Sequence, residues 1–141
     1  MKEVILGVWL GILSIFDLKY KEIPLSFSLL GGLVGIGFCV MEQRELLGLI
    51  VSCSPGFLVL LFAWISKEVM GYGDGIILIV MGMYLPISRL LAMGLQAFAI
   101  AGIVALMLLV LFRKKGNDRL PFIPFLGLAY GWECFLQWGI L

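Results

Sequence analysis

The chain has no histidine and only three cysteines, and just 13% of its 141 residues are charged. Without a histidine base, neither a Ser-His-Asp triad nor a Cys-His pair can be assembled, so histidine-dependent nucleophilic catalysis is excluded. Cys39, Cys53 and Cys134 stand far apart in apolar stretches, with no Cys-x-x-Cys spacing. That pattern argues against a structural zinc site and reads as buried packing. The net charge is +1 and no long run of one sign occurs, so nothing points to nucleic acid or to a charged interaction tail. What the chain has in excess is apolar character: 62% of residues are hydrophobic, against about 45–50% in soluble domains. Its expected solvent is a lipid bilayer.

A hydrocarbon core about 30 Å thick needs about 20 helical residues to cross it, so a chain of this length supplies at most about six spans joined by short loops. The expected organisation is a single transmembrane domain over residues 1–141, an all-α, polytopic bundle of six helices. Apolar segments occur at 4–18, 25–41, 46–65, 75–88, 90–112 and 122–140, parted by charge-bearing breaks. Met1-Lys2-Glu3 and its apolar run have the look of a signal peptide, but no small-residue cleavage site comes before Asp17 and further spans follow, so the segment reads as a retained first helix. Breaks one, three and five carry Lys19, Lys21, Lys67, Arg113, Lys114, Lys115 and Arg119, whereas the opposite side has Lys2, Arg44 and Arg89. Positive residues favour the cytoplasmic side. Both termini are therefore expected on the outer side. Gly7/Gly11, Gly31/Gly35 and Gly127/Gly131 have the Gly-x-x-x-Gly spacing of close helix contacts, either within the chain or between copies.

Of nine acidic residues, most sit in or beside the breaks; Asp17, Asp74 and Glu133 do not. Roughly 15 helical residues rising about 1.5 Å each cover about 22 Å, which leaves Asp17 slightly inside the cytoplasmic boundary. The fourth segment is short as well and puts Asp74 at a similar depth. Ionisable groups at membrane depth are costly and generally face a partner or a polar cavity. Two carboxylates brought together cannot both ionise easily and hold one proton between them. Such a pair suits an aspartyl peptidase: the ionised member takes a proton from the attacking water, and the protonated member donates to the peptide carbonyl. No metal and no cofactor is needed. Gly71-Tyr72-Gly73-Asp74-Gly75 surrounds one acid with glycines, which allow an extended or sharply turned backbone that a substrate strand can approach; an ordinary loop is the plainer reading. Glu133 reads as an interhelical hydrogen-bond or snorkelling residue, or as a third acid of the site.

Three features taken together resemble the type IV prepilin peptidases, a family of GxGD intramembrane aspartyl proteases. Asp17-Leu18-Lys19-Tyr20-Lys21-Glu22-Ile23-Pro24 is similar to the family's aspartate followed, after a short basic loop, by Ile-Pro. Gly71-Tyr72-Gly73-Asp74 matches the GxGD signature, and Leu120-Pro121-Phe122-Ile123-Pro124-Phe125-Leu126 resembles the Pro-Phe-x-Pro-Phe-Leu segment that opens the last span. The resemblance implies catalysis by Asp17 and Asp74, with Gly71, Tyr72, Gly73, Gly75, Ile23, Pro24, Pro121 and Pro124 supporting the site or the substrate. It implies a multi-pass protein of a bacterial or archaeal cytoplasmic membrane. Its substrate would be a prepilin or pseudopilin-like protein, cut between a short basic leader and a hydrophobic helix at the cytoplasmic face. Association with pilus or secretion assembly proteins also fits that family. The larger members carry a further segment with paired cysteines and methylate the new N-terminus; nothing here corresponds, so peptidase activity without methyl transfer is expected. A lysine common two residues after the second aspartate is Ile76 here, and an asparagine that often follows Ile-Pro is Leu25.

Simpler roles are open to several of these residues. Pro121 and Pro124 suit the first turn of a helix, Arg113-Lys114-Lys115 suits an orientation signal, and Trp9, Trp64, Trp132 and Trp138 suit interface or packing positions. The rival function is a small proton- or cation-coupled transporter with the aspartates as an ion relay. That reading predicts midplane acids and repeated halves, and no convincing repeat is present. A non-catalytic scaffold would leave the paired acids unexplained.

Overall fold

The computed structural model describes residues 2–20, 24–67, 72–111 and 122–139. Each expected apolar segment forms one α-helix: α1 Lys2–Tyr20, α2 Leu25–Met41, α3 Leu46–Ile65, α4 Tyr72–Tyr84, α5 Ile87–Leu111 and α6 Ile123–Gly139. The bounds of α2 and α3 are those read from the sequence. Those of α4 and α5 are not, because the break between them is set by Pro86 rather than by Arg89. A residue that precedes proline is disfavoured in the α conformation, which ends α4 before Leu85. The Pro86 carbonyl then accepts the first hydrogen bond of α5, from the Leu90 amide at 3.0 Å. Arg89 thus lies inside α5.

Contacts between helices fix their directions. Trp9 of α1 lies against Gly31 of α2 and donates from its indole to the Phe27 carbonyl, while the Phe16 ring lies tilted against that of Phe27, so α1 and α2 are antiparallel. Gly56 meets Ile79 and Gly82 meets Ser52, which makes α3 and α4 antiparallel. Arg89 of α5 bonds Gln137 of α6, and Gln96 bonds Glu133, so that pair is antiparallel too. Finally α6 returns along α1, with Tyr130 near Gly7 and Gly127 near Ser14. One end of the bundle therefore gathers the C-terminal ends of α1, α3 and α5 with the starts of α2, α4 and α6.

The core runs between α1, α4 and α6 and includes Leu6, Leu10, Leu13, Ile77, Met81, Ile123 and Leu126. By contrast, α3 and α5 are long and apolar enough to cross a membrane, and the most apolar stretch of α5 is only 6% buried within the chain. A core helix of a soluble protein would be mostly covered. An uncovered apolar surface of this extent is the surface a bilayer accommodates.

Candidate active site

Asp17 lies one turn before the end of α1 and is 7% exposed. A buried carboxylate needs hydrogen-bond partners, and its Oδ2 accepts one from the Ile123 amide at 3.3 Å. Ile123 is the first residue of α6, where backbone N–H groups have no partner inside the helix. On the preceding turn of α1, the Ser14 hydroxyl donates to Leu10 O at 2.7 Å and stands 3.4 Å from the Ile123 carbonyl.

Asp74 sits in the first turn of α4, partly buried. The partial positive charge of a helix N-terminus favours a carboxylate there. Its depth follows from the α3 contact. Gly75 lies against Leu60, and α3 continues five residues further to Ile65, about 7.5 Å of rise. Asp17 is three residues short of the end of α1, about 4.5 Å. Both acids thus stand at the same end of the bundle, each a few ångströms inside it, on helices that touch.

The glycine motif differs from the expectation of an extended or sharply turned strand. Tyr72, Gly73, Asp74 and Gly75 are all helical, and no described glycine has a positive φ. Gly75 serves helix packing: a Cβ there would stand 2.7 Å from Leu60 Cγ and 3.1 Å from the Leu60 amide nitrogen. Gly56 and Gly82 complete this seam, which sequence reading missed because their spacing spans two helices. Two glycines seven residues apart, at 75 and 82, were the available signal.

Pro24 precedes α2 with φ −66° and ψ 116°, and its carbonyl accepts from the Ser28 amide and hydroxyl. Pro124 occupies the first turn of α6, as its missing N–H allows. Ile23, Gly71 and Pro121 lie outside the described residues, as do Lys21 and the Arg113 to Arg119 cluster. Glu133 accepts from the Gln96 amide at 3.3 Å, an interhelical hydrogen bond at a distance from the end that holds Asp17. No three of the described Cys, Asp and Glu residues stand together as a metal site.

A profile of the type IV leader peptidase family matches residues 4–110, a stretch that encloses both aspartates and their motifs. The chain belongs to the type IV leader peptidase family. It is 31% identical over 121 residues to the prepilin leader peptidase/N-methyltransferase of Aeromonas hydrophila, covering 82% of this chain and 38% of that protein. The same identity and coverage hold for the protein of that name from Aeromonas salmonicida strain A449. The chain thus spans 38% of the length of these relatives. No solved structure matches it. Two helices long and apolar enough to cross a membrane accord with that family, and α6, beyond the matched stretch, contributes the donor to Asp17.

Proposed function

We propose that the chain is an intramembrane aspartyl endopeptidase that removes the short basic leader of prepilin-like proteins, with Asp17 and Asp74 as the catalytic pair. The observation that carries this reading is the shared position of the two carboxylates at one end of the bundle, on contacting helices inside the stretch matched by the family. One carboxylate, ionised, takes a proton from the attacking water, while the other, protonated, donates to the scissile carbonyl oxygen; as the resulting gem-diol collapses, the first passes its proton to the leaving amine and a diol hydroxyl reprotonates the second, which restores the pair. Six spans with both termini outside put that end at the cytoplasmic face, which is supported by the placement of Lys19 and Lys67 there. A basic leader would stay on that side as its hydrophobic helix enters the bilayer.

Cys39 and Cys53 donate to the Met83 and Ile79 carbonyls of α4 and belong to helix packing, and the activity we ascribe to Asp17 and Asp74 is the peptidase step alone. Membership of a leader peptidase family weighs against the transporter reading.

The test is co-expression of a prepilin-like substrate with the wild type, Asp17→Asn or Asp74→Asn, with membrane insertion measured for all three. Cleavage by the wild type alone, with each variant down at least about 100-fold at equal insertion, is expected for loss of an acid–base group. Cleavage by either variant at the wild-type rate sinks the two-carboxylate mechanism.

A further inference from the structure

The third family-like segment, Leu120 to Leu126, suggested substrate docking or helix initiation from sequence. Its described part does something more specific. Ile123 is held on both sides by α1: its amide donates to Asp17 Oδ2 at 3.3 Å, and its carbonyl stands 3.4 Å from Ser14 Oγ. Ile123 itself is fully buried, anchored in the core with Leu13 and Leu126. Pro124 follows and offers no N–H, so the Ile123 amide is the donor that this turn directs to the carboxylate. The seam next to it is close, since a Cβ on Gly127 would stand 3.1 Å from Ser14 Oγ. One turn further along α6, a Cβ on Gly131 would meet nothing within 4 Å.

We propose that the first turn of α6 orients Asp17 for catalysis, with the Ile123 backbone amide as the positioning group. The proposal rests on the reading of Asp17 as one of the catalytic pair. By holding Oδ2, the amide leaves Oδ1 to face the shared proton or the attacking water. Loss of one hydrogen bond to a carboxylate corresponds to about 10- to 100-fold in rate if its orientation serves the transition state.

Ile123→Pro deletes the N–H at a helix position that tolerates proline, whereas Ile123→Ala keeps the N–H and removes more of the buried side chain. Packing alone predicts that the alanine variant is the worse of the two. Positioning predicts the reverse. The expected result, in purified membranes with Asp17→Asn as the inactive reference, is that Ile123→Pro lowers kcat about 10- to 100-fold below Ile123→Ala. KM should differ less than about twofold, because uniform binding is untouched. A kcat for Ile123→Pro equal to or above that of Ile123→Ala, at equal folded fraction, overturns the proposal. Should Ile123→Pro fail to insert, Gly127→Ala and Gly131→Ala decide instead. Both favour helix, but only the first pushes α6 away from Ser14 and Asp17. A several-fold drop in kcat for Gly127→Ala alone supports the proposal, and equal kcat for both overturns it. An inactive wild type would instead sink the peptidase reading itself.

Discussion

Gly31 shows how much a missing side chain can decide. The Trp9 indole lies over its Cα, where a Cβ would overlap the ring, and from there donates to the Phe27 carbonyl at 3.2 Å. The Tyr84 hydroxyl reaches the Gly31 carbonyl at 2.8 Å from the opposite helix. Gly31→Ala must displace the indole and break its hydrogen bond, and overpacking of this kind costs about 1–3 kcal/mol. Thermal unfolding in detergent should show the loss. Gly11→Ala, with nothing within 4 Å, should be neutral or slightly stabilising. If both variants unfold alike, the Trp9 contact has no energetic weight. Glycine spacing in the sequence singled out Gly31 and Gly35 but left open whether they meet a neighbour in the same chain or in another copy. Trp9, Tyr84 and Met83 fill those places from within. The choice depends on which large side chain stands opposite, and a spacing pattern along one helix does not carry that.

At the scale of the element, α4 is the helix with most at stake, and its two ends are held differently. Its start carries Asp74; its last carbonyls lack donors from their own helix, because Pro86 stops the chain from continuing, and the Met83 carbonyl has only the weak Cys39 thiol besides. Arg44 reaches across from the loop between α2 and α3 to supply the missing donors, with Nη1 2.8 Å from Met83 O and 3.3 Å from Gly82 O. Its other terminal nitrogen lies 3.4 Å from Ser52 Oγ on α3. Hydrogen bonds from a charged group are worth about 1.5–3 kcal/mol, so Arg44→Met should destabilise by about that amount. Arg44→Lys should recover only part, since an ammonium lacks the planar fork that serves two carbonyls and a hydroxyl at once. Unfolding midpoints of the three proteins in one detergent check this; equal midpoints for wild type and Arg44→Met refute the cap. From sequence, Arg44 read as a loop charge on the outer side. Charges mark where helices stop, and so α2 and α3 were bounded correctly, but they do not say which helix end a long side chain will reach. The described part of the glycine motif, Tyr72 to Gly75, departs from its expected extended or turned backbone for a related reason. An aspartate is favoured in a first helical turn as well as in a loop, and the close packing of Gly75 on Leu60, which leaves no room for a Cβ, offsets the helix cost of glycine.

The whole bundle alternates direction from each helix to the next, so its orientation in a membrane is a single binary choice. If α2 to α3 turns on the outer side, then the ends of α1, α3 and α5, with both aspartates, are cytoplasmic. The three basic residues at the opposite end all have work within the fold: Lys2 pairs with Glu42 at 2.8 Å, Arg89 with Glu3 at 2.8 Å, and Arg44 caps α4. At the aspartate end Lys19 and Lys67 are exposed, as expected of residues that favour the cytoplasmic side. Glu45 and Ser66 are convenient reporters, because each flanks α3 and neither has a positive φ. In a background with the three native cysteines replaced by serine, Glu45→Cys should react with an impermeant maleimide applied to intact cells. Ser66→Cys should react only after permeabilisation. The reverse pattern would put Asp17 and Asp74 on the outer side, and a peptidase whose carboxylates open there could not cut a leader held in the cytoplasm by its own positive charge. One labelling experiment therefore tests both the topology and the side on which the proposed reaction takes place.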